Sequence, residues 1–268
     1  MGQHFLKNIH VLRKIVLAIR PQKNDLLIEI GAGKGALTFL LAAKAGKVIA
    51  IEKDRSFIPF LQRKGFTNLI ILEEDILKVE FKELVEKKYK GKVKLVGNLP
   101  YSISSPLLFK ILEERELFSE CIFLFQKELA ERICAKPGTK KYAPLSILLQ
   151  IHFSTRLHFF VSPDSFLPPP KVQSALVSFK RRNKPLFLIP REEAFRKFLK
   201  GTFRHRRKFL FNNLIRLNYP SSSLKEAFQE FNLAVSLRPE QLTISQFVSL
   251  FKFLTKNQKK SSDDKHQQ

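Results

Sequence analysis

The chain has no tryptophan, one methionine and two cysteines in 268 residues. Cys121 and Cys134 stand in apolar or helical contexts without a close partner. That excludes a disulfide scaffold and makes both thiols small buried hydrophobes. The six histidines (4, 10, 152, 158, 205 and 266) show no ligand spacing, so no metal centre is expected. No apolar run approaches the ~20 residues of a membrane-spanning helix. The start, Met1 to Lys7, lacks the long apolar stretch of a secretory signal. The chain therefore reads as cytosolic. Acid is also scarce: 24 Asp and Glu stand against 48 Lys and Arg, for a net charge of +24. An enzyme of small metabolites has no need of that excess. Nucleic acid is the polyanionic partner that fits it best, with an anionic membrane surface as the rival.

What is present suits one large and one small domain. Apolar periodicity predicts a helix over 8–19, with Val11, Ile15, Val16 and Ile19 on one face. Strands are predicted at 26–30, 47–52, 68–72, 93–96 and 121–125. Helices alternate with them at 36–45, 56–64, 82–88, 107–114, 127–135 and 145–150. Two more strands, 152–161 and 174–180, flank the proline-rich stretch 162–171. Alternating strands and helices predict an α/β fold with a parallel, doubly wound sheet. Beyond Arg181-Arg182-Asn183-Lys184-Pro185 only helices are predicted: 191–203, 206–216, 223–231 and 244–254. The expected boundaries are therefore 1–184 for the first domain and 185–255 for a small helical one. A disordered polar tail is expected over 256–268.

Four motifs fall at predicted strand ends, where doubly wound sheets bind ligands. Gly31-x-Gly33-x-Gly35, between a strand and a helix, is a nucleotide-cofactor loop whose glycines admit close backbone approach. With Ala36 it also fits the dinucleotide fingerprint, so a nicotinamide dehydrogenase stays open on this loop alone. A Walker A loop is excluded, because glycine and not Ser or Thr follows Lys34. Glu52 suits a ribose diol and Asp75 an adenine amine. The most telling stretch is Asn98-Leu99-Pro100-Tyr101. A base amine is a poor nucleophile, because its lone pair is delocalised into the ring. Two acceptors, the Asn98 side-chain oxygen and the Leu99 carbonyl, can favour a pyramidal nitrogen facing an electrophilic methyl group. Tyr101 can stack on the base, a contact worth ~1–3 kcal/mol in single-strand readers. Lys180-Arg181-Arg182 and Arg204-His205-Arg206-Arg207-Lys208 suit phosphate contact, and Lys7, Arg13, Lys14 and Arg20 could extend that surface.

These motifs sit in a chain that resembles the KsgA (RsmA) family of small-subunit ribosomal RNA adenine dimethyltransferases. The likeness rests on GQHFL at 2–6, EIGAGKGALT at 29–38, IEKD at 51–54, EEDIL at 73–77 and NLPYSISSP at 98–106. It continues through 125–150, SPDSFLPPPKVQSALVSF at 162–179, FRHRRKFLFNNL at 203–214 and LRPEQLTISQF at 237–247. The resemblance implies a Rossmann-like class I methyltransferase domain, with a mostly parallel seven-stranded sheet and an all-helical C-terminal domain that binds rRNA. It implies S-adenosylmethionine as cofactor, held by His4, Leu6, Gly31, Gly33, Glu52, Asp75 and Asn98. It implies a base site of Asn98, Leu99, Pro100 and Tyr101, with Phe166 on the far face of a flipped adenine. The RNA contacts would be Lys180, Arg181, Arg204, Arg206, Arg207 and Lys208. The substrate would be two adjacent adenines in the 3′-terminal hairpin loop of 16S rRNA in the immature small subunit, met by a monomer. The chain departs from the family in carrying His4 for a common Asn, Ala32 for a common proline and Lys53 for an apolar residue. It also starts without the family's short basic leader, which implies a weaker grip on RNA or cofactor, or a truncated sequence. Two other readings stay open: an Erm-type methyltransferase of large-subunit rRNA, and a non-catalytic RNA-binding assembly factor on the same fold.

Overall fold

The computed structural model describes residues 4–85 and 91–263, with backbone alone at Tyr101 and over 257–263. The chain divides into two compact units, 1–134 with 152–183, and 135–151 with 184–268.

Among the described residues the first unit holds all the strands: β1 (Phe5–Leu6), β2 (Leu26–Ile30), β3 (Lys47–Glu52), β4 (Leu69–Glu73), β5 (Val93–Asn98), β6 (Glu120–Gln126), β7 (Phe153–Val161), β8 (Phe166–Leu167) and β9 (Ser174–Arg181). Seven form one sheet in the order β4-β3-β2-β5-β6-β9-β7. β2 to β6 run parallel, and β9 lies antiparallel between β6 and β7. Every residue of β2 is buried, as in a strand covered on both faces. The chain winds outward from β2 to β4, then returns to place β5 on the other side of β2. That reversal opens a crevice beyond the carboxyl ends of β2 and β5.

Helix α1 (Ile9–Ile19) begins where the Asn8 side chain accepts the N–H groups of His10 and Val11. It buries Leu12, Ile15, Val16 and Ile19, so Leu12 takes the inward place expected of Val11. Its far end is held from inside the sheet. Lys94 of β5 donates to the carbonyls of Ile19 and Arg20, both at 3.0 Å, and pairs with buried Asp25 at 2.7 Å. The remaining helices here are α2 (Thr38–Ala42), α3 (Ile58–Gln62), α4 (Phe81–Leu84), α5 (Ser104–Glu113) and α6 (Lys127–Ile133). The helix expected over 82–88 ends at Leu84, where Val85 turns extended, and residues 86–88 lie outside the described ones. A small second sheet was not expected. β1 pairs with β8, Phe5 opposite Leu167 and Leu6 opposite Phe166. Two-residue strands carry too little periodicity to be read in advance.

The second unit is helical: α7 (Pro144–His152, whose last residue belongs to the first unit), α8 (Glu192–Thr202), α9 (Leu210–Ile215), α10 (Ser221–Glu230) and α11 (Ile244–Asp263). Its start near 185 needs correction, because residues 135–151 belong to it as well. Tyr142, Ile147 and Ile151 share one buried cluster with Phe195, Phe198, Phe203, Phe247 and Phe251. α9 is shorter than expected. The Arg206 guanidinium is engaged with the carbonyls of Lys140 and Tyr142, and the regular helix begins only at Leu210. α11 runs on to Asp263, so 256–263 is helical where a disordered tail was expected. Residues 264–268 lie outside the described ones.

Candidate functional site

The carboxyl ends of β2, β3 and β5, with the turn after β4, surround a cavity of about 510 Å³. Gly31, Gly33, Glu52, Asp75 and Asn98 all line it, so the motifs read separately in the sequence meet in one place. His4, Leu99 and Pro100 line it too. A second cavity, about 240 Å³, shares Phe5, Gly31 and Asn98 with the first and is lined by Leu6 and Glu29.

The glycine loop takes its shape from backbone that only glycine adopts readily. Gly31, Gly33 and Gly35 all have positive φ. A Cβ at Gly33 would also come within 3.0 Å of the Phe5 ring. The Gly33 N–H donates to Glu52 Oε2 at 2.7 Å, and the Asp54 N–H donates to Oε1 at 2.9 Å. The Glu52 carboxylate is therefore fixed by backbone on both oxygens. Each oxygen keeps a further lone pair for a ligand hydroxyl. Asp75 accepts the Leu77 N–H on Oδ1 at 3.0 Å and the Lys53 ammonium on Oδ2 at 2.8 Å. The hydrogen bond from Lys53, then that from Leu77, holds the Asp75 carboxyl below the usual carboxylate range.

Asn98 ends β5, and its side chain is oriented by the residue that precedes β1. The amide nitrogen donates to the His4 carbonyl at 2.8 Å. That bond assigns the amide and leaves Oδ1 as an acceptor. His4 Nδ1 in turn meets the Pro168 carbonyl at 2.7 Å, so Nδ1 carries the hydrogen. One histidine thus ties together three segments far apart in the chain. Leu99 is buried, and the Pro100 carbonyl accepts from Ile103 N–H and Ser104 Oγ, which fixes the turn into α5. The Tyr101 side chain lies outside the described residues.

Phe166 does not stand where a base could stack on it. It is 1% exposed, in the same buried cluster as Leu6, Val161 and Leu176. Pairing of β8 with β1 turns this ring into the core and leaves the next residue, Leu167, 59% exposed. Two of the expected RNA contacts are also engaged internally. Arg181 pairs with Glu116 at 2.9 Å and donates to the Phe118 carbonyl at 3.0 Å, and Arg206 has the carbonyl contacts given above. Lys180, Arg204, Arg207 and Lys208 are exposed.

Three residues at the site had no role assigned in the sequence reading. Phe5 lines both cavities, and its ring packs edge-on against Phe57 with the Lys34 ammonium over it. Glu29 is fully buried with Oε2 unpartnered. An acid inside the otherwise apolar Leu-Leu-Ile-Glu-Ile was a legible signal for it. Lys53 stood out only as a departure from the family.

A sequence profile of the ribosomal RNA adenine dimethylase family matches residues 1–256. The chain belongs to that family. It is 37% identical to a ribosomal RNA small subunit methyltransferase A of Geobacter metallireducens, over 93% of this chain and 92% of the relative. It is 39% identical to the protein of that name from Latilactobacillus sakei, over 93% and 87%. Among solved structures, a dimethyladenosine transferase from Plasmodium falciparum matches with a TM-score of 0.79 and 30% identity, covering 94% of this chain and 98% of that one. The 23S rRNA methyltransferase ErmE matches with a TM-score of 0.73 at 23% identity, covering 94% and 99%, a likeness of fold. The Rossmann-like, seven-stranded architecture implied by the resemblance is the one found.

Proposed function

We propose that this member of the family transfers methyl groups from S-adenosylmethionine to N6 of two adjacent adenines in the 3′-terminal hairpin loop of small-subunit rRNA. The reaction gives N6,N6-dimethyladenosine in the immature subunit, in the cytoplasm, with the protein acting as a monomer. The observation that carries the reading is the Asn98 amide, oriented by His4 with its oxygen left as acceptor beside the glycine-loop cavity.

The cavity fits the cofactor. Its lining supplies a glycine cradle, a fixed carboxylate at Glu52 for a diol and an ionised one at Asp75 for an amine. His4, Gly31, Gly33 and Asn98 complete its assigned lining, and Leu6, on the second cavity, is the remaining assigned contact. When bound, the cofactor supplies an electrophilic methyl group on sulfonium. The chain's own part is positioning. Asn98 Oδ1 and the Leu99 carbonyl take the two N6 hydrogens and free the lone pair to face the methyl group. Pro100 holds that backbone open, and Tyr101 is assigned the stacking contact. No strong base is needed beforehand, because the amine becomes acidic only once it is cationic. Extruding a base from a hairpin loop costs less than from a duplex, which suits a loop substrate. Arg204, Arg207, Lys208 and Lys180 are the proposed phosphate contacts.

Incubation with immature small subunits, followed by mass-spectrometric mapping, should locate dimethyladenosine at the two loop adenines. Transfer only to protein-free large-subunit rRNA would sink the assignment in favour of the Erm-type reading. Asn98→Ala should abolish transfer with little loss of RNA binding. Unchanged turnover in that variant would refute the mechanism.

A further inference from the structure

Three carboxylates, Glu52, Glu74 and Asp75, line the larger cavity together. Two of them are engaged through backbone. Glu52 accepts from Gly33 and Asp54, and Glu74 Oε1 accepts the Asp75 N–H at 2.8 Å. Asp75 differs. One of its oxygens has a backbone donor, and the other is held by the Lys53 ammonium at 2.8 Å. Lys53 directly follows Glu52 at the end of β3, so its side chain reaches from the end of one strand to the turn beyond the next. It is 75% exposed, and an ion pair that open contributes little to fold stability. Its consequence is therefore local: it fixes the rotamer of a carboxylate on a ligand-sized cavity.

We propose that Lys53 is a positioning residue for the adenine end of the methyl donor, holding Asp75 so that its carboxylate presents an acceptor to the donor's amine. This rests on the reading of the cavity as the S-adenosylmethionine site. A carboxylate oxygen accepts two hydrogen bonds, so Asp75 Oδ2 serves lysine and ligand together. Without the ammonium, Asp75 keeps the Leu77 N–H on Oδ1 but loses the donor that fixes Oδ2. The lowered proton affinity of Asp75 agrees with a group kept ionised for this task. Because the pair is exposed, salt should weaken its grip.

Titration calorimetry of the full chain with S-adenosylhomocysteine tests the proposal. At 0.05 M NaCl, as a low-salt condition on the order of a 10 Å screening length or longer, Lys53→Met should weaken binding about fivefold. Lys53→Arg should restore most of the affinity. In an Asp75→Asn background, Lys53→Met should add nothing. At roughly tenfold higher salt, the wild type should approach Lys53→Met. Equal or tighter binding by Lys53→Met at low salt would overturn the proposal, as would an undiminished loss in the Asp75→Asn background. If the wild type itself binds no S-adenosylhomocysteine, the cofactor reading falls and this inference with it. Wild-type binding with an unaffected Lys53→Met overturns the inference alone.

Discussion

Glu29 sits next to the carboxyl end of β2, fully buried, with the Glu52 carboxylate near enough to oppose its ionisation. Burial pushes its carboxyl up to about 8. The Thr38 hydroxyl, nearby but outside hydrogen-bonding geometry, offsets this only partly, and the Glu52 charge adds to the rise. The folded chain therefore binds a proton here that the unfolded chain releases near pH 4.5. Its contribution to stability is complete below that pH and is lost as pH rises toward 8. Urea unfolding across this window should show stability falling with pH, and Glu29→Gln should flatten that slope. The residue scale is also where sequence reading was least complete. Asn98, Glu52 and Asp75 were legible because polar groups at strand ends stand out against apolar strands. The burial of Phe166 was not, because it depends on a pairing with Phe5-Leu6 more than 150 residues away.

Among the elements, β5 carries a charge that a buried strand would not ordinarily tolerate. Lys94 and Asp25 are both almost fully enclosed, and the lysine also terminates α1 through two carbonyls. Lys94→Met would leave Asp25 as an unpaired buried charge. We expect a loss of roughly 3–5 kcal/mol by chemical denaturation. Replacing Asp25 by Leu in the same chain should recover part of it, whereas an additive further loss would contradict this account. Element type and order were legible almost throughout. Strongly apolar strands such as Leu26–Ile30 and the alternation with helices left few options. Ends were less legible where a tertiary contact decides them. Arg206, expected inside α9, lies before it with its guanidinium on the Lys140 and Tyr142 carbonyls, and nothing in its local sequence announces that.

Across the whole molecule, the net charge of +24 predicts RNA affinity that falls steeply with salt. Its parts should not act alike. Arg207→Gln and Lys208→Gln, at exposed positions, should each weaken RNA binding and reduce the salt slope by about one. Arg206→Gln should instead lower the unfolding midpoint, because within the helical unit that guanidinium ties the Lys140–Tyr142 loop to the segment before α9. A filter-binding salt series, paired with thermal melts, separates the two effects. Charge excess was plain in the composition. Which arginines face solvent was not, since Arg206 and Arg207 are adjacent and indistinguishable by type.

The membership of residues 135–151 in the helical unit also bears on how the chain is made. The backbone passes between units three times, at 134/135, 151/152 and 183/184. During synthesis β7 and β9, which complete the large sheet, emerge only after α7 has appeared. α7 must then wait, its apolar face uncovered, for α8 to α11. Neither unit can finish folding as an uninterrupted stretch of nascent chain. A fragment beginning at 185 would lack Tyr142, Ile147 and Ile151, and with them one wall of its own core.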